Sequence, residues 1–214
     1  MPTELMLGGV LVAVFILYAL FGGADFGGGV WDLLASGPRA AEQRALIARA
    51  IGPVWEVNHV WLIIGLVVLF SGFPRAFAAL MVGLHVPLTL LLLGIVFRGT
   101  AFTFRAYDAR GDRVQRRWGL VFSGASVLSP ALLGLCVGAV AMEDLAAWTS
   151  PFALAVGALA LCLFAFLAAV YLTAETSAPA LQEDFRRRAL GAGGAVFLAA
   201  LAVLGLARDG APRV

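Results

Sequence analysis

Apolar residues run in long blocks along this chain, with polar residues confined to the stretches between them. The blocks at 5–23, 51–70, 77–97, 118–140, 152–174 and 189–207 are each about 20 residues long, the length that crosses roughly 30 Å of hydrocarbon at 1.5 Å per residue. Inside hydrocarbon a segment must pair its own backbone N–H and C=O groups, so six transmembrane helices are predicted. The connectors are 24–50, 71–76, 98–117, 141–151 and 175–188, and none is long enough for a separate soluble domain. The first block begins near Leu5 without a basic flank and is long enough to span. It therefore reads as a true span and not as a secretory signal. The expected fold is all-α, a polytopic transmembrane helix bundle, with 1–214 as a single membrane domain.

Composition agrees. Of the 214 residues 62% are hydrophobic and 13% charged, with a mean hydropathy of +0.95, against roughly 25% charged in a soluble domain. The net charge of +2 gives no sign of nucleic-acid binding. Cys136 and Cys162 both fall inside apolar blocks and read as buried small residues. Charge does decide orientation. Twelve of the fifteen arginines lie in connectors 24–50, 98–117 and 175–188, and three lie on the other side or in the tail. The positive-inside rule then places those three connectors in the cytoplasm and both termini outside. Within the first connector, Ser36-Gly37-Pro38 signals a helix start, and 38–50 is predicted as a short helix feeding the second span.

Polar residues inside a span are costly and mark a partner, a cavity or a pathway. The first block runs into Gly22-Gly23-Ala24-Asp25-Phe26-Gly27-Gly28-Gly29, where the backbone is free to bend or to be approached closely. Asp25 reads either as a working carboxylate or as an interfacial cap, and Asp32 as a cap. The second block opens Trp55-Glu56-Val57-Asn58-His59-Val60-Trp61. Glu56 and His59, three apart, share a helix face. A buried carboxyl there is suited to proton exchange, while Asn58 and His59 are equally suited to helix packing. His59 and His85 are equally spaced about Gly72, so antiparallel helices would bring them to one depth and permit a bis-histidine haem. Arg98 ends the third block, positioned to snorkel or to pair with Asp25 or Glu56. Arg105 reads chiefly as part of the positive flank. Tyr171 to Thr176 reads as an interface anchor, and Gly134 and Gly138 form a GxxxG pattern.

Several of these stretches together resemble the subunit II family of cytochrome bd-type quinol oxidases. They are Gly23 to Gly29, Gly52 to Leu62 with its Trp55-Glu56-Val57-Asn58-His59-Val60-Trp61 core, Phe73 to Ala78, Phe97-Arg98-Gly99-Thr100-Ala101-Phe102 onward, and Tyr171 to Thr176. The resemblance implies a non-haem subunit in a bacterial cytoplasmic membrane. Haem b and haem d are expected in a partner, subunit I, and this chain alone is expected to bind no cofactor. It would scaffold subunit I and line a cytoplasmic proton route for quinol oxidation coupled to reduction of dioxygen to water. The carboxylate–arginine positions of that route carry over to Asp25, Glu56 and Arg98, with Asn58, His59 and Arg105 as secondary candidates. A small accessory subunit and the lipid bilayer are the other expected partners. Family members have about eight helices in two halves, so 1–140 is expected to be a four-helix half and 141–214 an incomplete second one. Glu56 stands where an aspartate is common, and Gly22 where some members carry another acid. The competing reading is a small membrane transporter or a stand-alone b-type cytochrome.

Overall fold

A computed structural model describes residues 2–107 and 112–210. Among the described residues, seven α-helices follow one another: α1 (Pro2–Leu33), α2 (Ala40–Gly72), α3 (Pro74–Gly83), α4 (His85–Tyr107), α5 (Asp112–Ala141), α6 (Pro151–Ala174) and α7 (Pro179–Gly210). One 3-10 turn, Leu145–Ala147, lies between α5 and α6. No strand occurs among the described residues. Six helices are long and apolar enough to cross a membrane, in agreement with the six predicted blocks.

Several boundaries depart from the sequence expectation: α4 runs on to Tyr107, and α5 and α7 begin at Asp112 and Pro179, well before their apolar blocks. The first helix does not stop at residue 23. It continues through the glycine run to Leu33, and the connector shrinks to the few residues before α2. Glycine costs a helix about 1 kcal/mol relative to alanine, but here close packing uses the missing side chains. A Cβ on Gly27 would stand 2.0 Å from the Phe164 carbonyl oxygen, and one on Gly29 would stand 2.1 Å from Ser126 Oγ. The third block is also not one helix. It bends at Leu84, between α3 and α4, so that the membrane-length part is His85–Arg105. Pro87 explains the position of the bend, because a proline ring clashes with the carbonyl four residues earlier, that of Gly83. The chain still turns smoothly, since Leu84 N–H donates to Leu80 O and Leu88 N–H to Leu84 O. Pro53, by contrast, sits on an exposed face of α2 and leaves that helix continuous.

Helix α1 is central, packed on α2, α5 and α6, while α4 lies on α5 and α7 on α6. Its last turns meet a core that includes Leu46, Ile47, Ile51, Phe122, Leu172 and Phe185. The GxxxG pattern of α5 faces α6. Cβ atoms on Gly134 and Gly138 would fall 2.6 Å from the Cα atoms of Gly157 and Ala153. Small residues thus bring these backbones together, the usual basis of helix association in lipid. Exposed leucines, valines and phenylalanines cover the outside of the bundle.

Gly27→Ala is expected to destabilise the bundle by about 1–3 kcal/mol, the range for overpacking a tight contact. Gly124, whose Cβ would meet nothing within 4 Å, is the control. Chemical denaturation of the purified protein carrying each substitution checks this, and equal loss at both positions would contradict it.

Candidate functional site

An isolated charge in hydrocarbon is expensive, so the placement of each charged side chain identifies what the fold is built to hold. Asp25 of α1 and Arg98 of α4 are both fully buried, at 0% and 1% exposure. They meet as a two-pronged pair, with Arg98 Nη2–Asp25 Oδ1 at 2.6 Å and Arg98 Nη1–Asp25 Oδ2 at 3.0 Å. Arg98 Nη2 also donates to the Asp25 carbonyl at 2.8 Å, and Nε donates to Ser126 Oγ at 2.9 Å. Four of the five guanidinium N–H groups are therefore used. Asn58 Nδ2 donates to Asp25 Oδ2 at 3.3 Å. The rings of Phe26 and Phe122 cover the guanidinium at 4.9 and 4.8 Å. Such satisfaction is what allows a buried pair to offset its desolvation.

A second rung lies seven residues further along both helices. Arg105 Nη1 and Nη2 each stand 2.9 Å from an oxygen of Asp32, and Ser123 Oγ donates to Asp32 Oδ2 at 3.2 Å. Seven residues are about 10.5 Å of helix, and both pairs join positions 73 apart in the chain. Phe122 lies between the rungs, 5.8 Å from the Arg105 guanidinium as well as beside Arg98. Ser123 and Ser126, three apart on one face of α5, serve one rung each. The Asp32–Arg105 rung borders an open cavity of about 530 Å³. Polar groups thus lead from that cavity through Asp32, Ser123, Ser126 and Arg98 to Asp25 and Asn58.

The other expected residues lie elsewhere. Arg98 pairs with Asp25 and not with Glu56. Glu56 is exposed, on the same outward stripe of α2 as Val60, Ile63 and Val67. His59 is half-buried, with Nδ1 2.7 Å from the Trp55 carbonyl and its ring edge-on to Trp55. His85 is exposed at the first turn of α4, with Nδ1 3.1 Å from the Val82 carbonyl. The two histidines lie on separate helices, His59 within α2 and His85 at the start of α4. No cluster of three or more metal-binding side chains occurs among the described residues. Asp32 is not a helix cap. It ends α1 in an ion pair, and Arg105 is its partner rather than a free flank charge. The buried Nε1 atoms of Trp55 and Trp61 and Oδ1 of Asn58 have no partner among the described residues. Their positions step by three along one side of α2.

A third polar cluster was not anticipated. Asp184 of α7 accepts from Arg39 Nε at 2.9 Å and from Gln43 Nε2 at 2.9 Å. Arg188 donates to Gln43 Oε1 at 2.8 Å and lies over the Trp31 and Phe185 rings. The hydrogen bond to Asp184, then its charge, raises the pKa of Arg39 above the ordinary guanidinium range. This cluster fastens α7 to the first turn of α2 and to Arg39 just before it.

Residues 3–208 match the family described as cytochrome bd terminal oxidase subunit II. The chain is 35% identical over 129 residues to the cytochrome bd ubiquinol oxidase subunit 2 of Bacillus subtilis (strain 168), covering 59% of this chain and 37% of that one. Against the cytochrome bd-I ubiquinol oxidase subunit 2 of Escherichia coli (strain K12) it is 30% identical over 131 residues, 60% of this chain and 34% of that one. The matched region thus spans about a third of the length of these relatives. Among solved structures, the bd oxidase from Geobacillus thermodenitrificans superposes with a TM-score of 0.78 at 23% identity, over 99% of this chain and 68% of that chain, which establishes the shared fold. A buried carboxylate–arginine ladder in a bundle of this fold and a profile match over nearly the whole length lead to one conclusion: the chain belongs to the cytochrome bd terminal oxidase subunit II family.

Proposed function

We propose that this chain works as the non-haem subunit of a bd-type quinol oxidase in a bacterial cytoplasmic membrane. Subunit I would hold haems b and d and carry out quinol oxidation and dioxygen reduction. This chain would scaffold that partner and line the route by which protons arrive from the cytoplasm. The arginine-rich ends of the helices then face the cytoplasm and both termini face outward. Residues 1–140 are read as one four-helix half, with α3 and α4 together making one bent member, and 141–214 as part of a second.

The observation that carries this reading is the two-rung ladder, whose outer pair borders an open cavity at the arginine-rich end and whose inner pair holds a fully buried carboxylate. Protons would enter beside Asp32 and Arg105, pass the hydroxyls of Ser123 and Ser126, and reach Asp25 and Asn58. The unpaired Asn58 Oδ1, Trp55 Nε1 and Trp61 Nε1 leave hydrogen-bonding capacity along α2 that bridging water is suited to fill. Glu56, on the outward stripe of the same helix, would pass the proton to the partner.

One observation favours a purely structural second reading. Both aspartates are held by two-pronged arginine pairs, which fixes them more firmly than proton exchange requires. Two experiments on the assembled oxidase separate the readings. Glu56→Gln is expected to slow oxygen consumption roughly 10²-fold, the lower end of what a positioned proton-transfer group contributes, with the haem spectrum unchanged. Normal turnover would remove Glu56 from the route. Arg98→Met alone is expected to cost about 3–5 kcal/mol, because it leaves the Asp25 carboxylate buried and unpaired. Adding Asp25→Leu should restore most of that stability in denaturation. If the pair conducts protons, oxygen consumption stays low in the double variant. If it is only structural, turnover returns with stability.

A further inference from the structure

We propose that the cavity at the arginine-rich end binds the phosphodiester headgroup of an anionic phospholipid. Among the described residues, three guanidinium groups line it, those of Arg44, Arg105 and Arg116, against one carboxylate, Asp32. Asp32 neutralises Arg105. Arg44 donates only to carbonyls, those of Asp32 at 3.4 Å and Ala35 at 3.2 Å, so dipoles and not an anion meet its charge. Arg116 has no hydrogen-bond or ion-pair partner among the described residues and is exposed. Among the described residues, two positive charges therefore face one cavity without a counter-ion. Arginine is the side chain best matched to phosphate oxygens, through paired N–H donors.

Position in the fold selects a lipid over a dissolved anion. The arginine-rich ends of three spanning helices meet at this cavity, with Leu33 the last residue of α1, Arg105 in the last turn of α4 and Arg116 near the start of α5. That places it at the level of the headgroups. Its rim carries Leu33 and Leu120, which are 46% and 58% exposed and flank the basic wall with apolar surface. Arginines above leucines reproduce the division between a headgroup and its acyl chains. Basic pockets between transmembrane helices on the cytoplasmic side recognise anionic headgroups by this arrangement. Gly119 lines the cavity beside Arg105. A Cβ there would stand 4.0 Å from Cζ and Nε of Arg105. A volume of about 530 Å³ exceeds what a lone phosphate needs and accommodates a glycerophosphate group.

This site shares Asp32 and Arg105 with the proposed proton entry, but its readout is lipid retention and not turnover, so the two readings fail separately. The complex is purified, placed in bilayer discs of mixed phosphatidylglycerol and phosphatidylcholine, and released into native mass spectrometry. Wild type should retain one phosphatidylglycerol in preference to phosphatidylcholine. Arg44→Gln and Arg116→Gln should each weaken retention about tenfold, the loss of one charge-assisted phosphate contact. Gly119→Leu fills the cavity with every charge kept and should release the lipid as well, so the result does not rest on the arginine variants folding. Equal retention of the two lipids, or unchanged retention in these variants, would overturn the proposal. So would displacement of the lipid by inorganic phosphate at low concentration, which would make this a site for dissolved anions.

Discussion

Arg98 reaches from α4 to Asp25 of α1 because neither charge is tolerable in hydrocarbon alone. Much of the bundle is arranged around that contact. Phe26 and Phe122 exclude solvent from the guanidinium, and Ser126 and Asn58 occupy the remaining hydrogen-bonding sites. The glycine run brings α1 close enough for the surrounding helices to seal the pair. Gly27 admits the backbone of α6 and Gly29 admits Ser126 of α5. A bulky side chain at either position would push apart the walls that keep the pair dry. Stability and any proton chemistry at Asp25 therefore share the same atoms.

Much of this was legible in the sequence. Long apolar blocks specify spanning helices because lipid offers the backbone no other partner, and the number of spans follows directly. Asp25, Glu56 and Arg98 stood out in the sequence as costly polar groups in apolar surroundings. Which residues meet was not legible, because Arg98 could reach Asp25 or Glu56 by sequence reasoning alone. Only the rotation of α2 turns Asn58 inward and Glu56 outward. The glycine run misled through intrinsic propensity, since glycine in isolation argues against a helix, and tertiary packing reversed that preference. The bend at Leu84 could have been found, because Pro87 places its clash at Gly83. So could the second rung, as Asp25 and Asp32, like Arg98 and Arg105, are seven apart. The Arg39–Gln43–Asp184–Arg188 cluster joins residues some 145 positions apart, with no local signal to connect them.

Glu56 and the inner ladder define two faces of one helix. Asn58 ties α2 to the buried pair, while two residues earlier the carboxylate of Glu56 faces away from this chain, amid valine and isoleucine. An outward carboxylate in an apolar stripe is costly against lipid and reasonable against another protein. The division of labour proposed for the family fits that geometry. The inner face of α2 holds this chain together, and in the proposed assembly its outer face would meet the partner.

The equal spacing of the two ion pairs also acts on alignment. Were α4 to slide two turns along α1, one arginine would find the other's aspartate, but the remaining aspartate and arginine would be stranded. A slide of one turn would match neither. A single rung would tolerate more slippage, since a long arginine can follow its partner. Two rungs at one interval behave like the teeth of a vernier, with all four charges satisfied at a single setting. Phe122, between the teeth, belongs to α5. The helix that lies against α4 thus carries the spacer that marks the setting, and α4 and α5 are suited to join α1 as a prealigned hairpin.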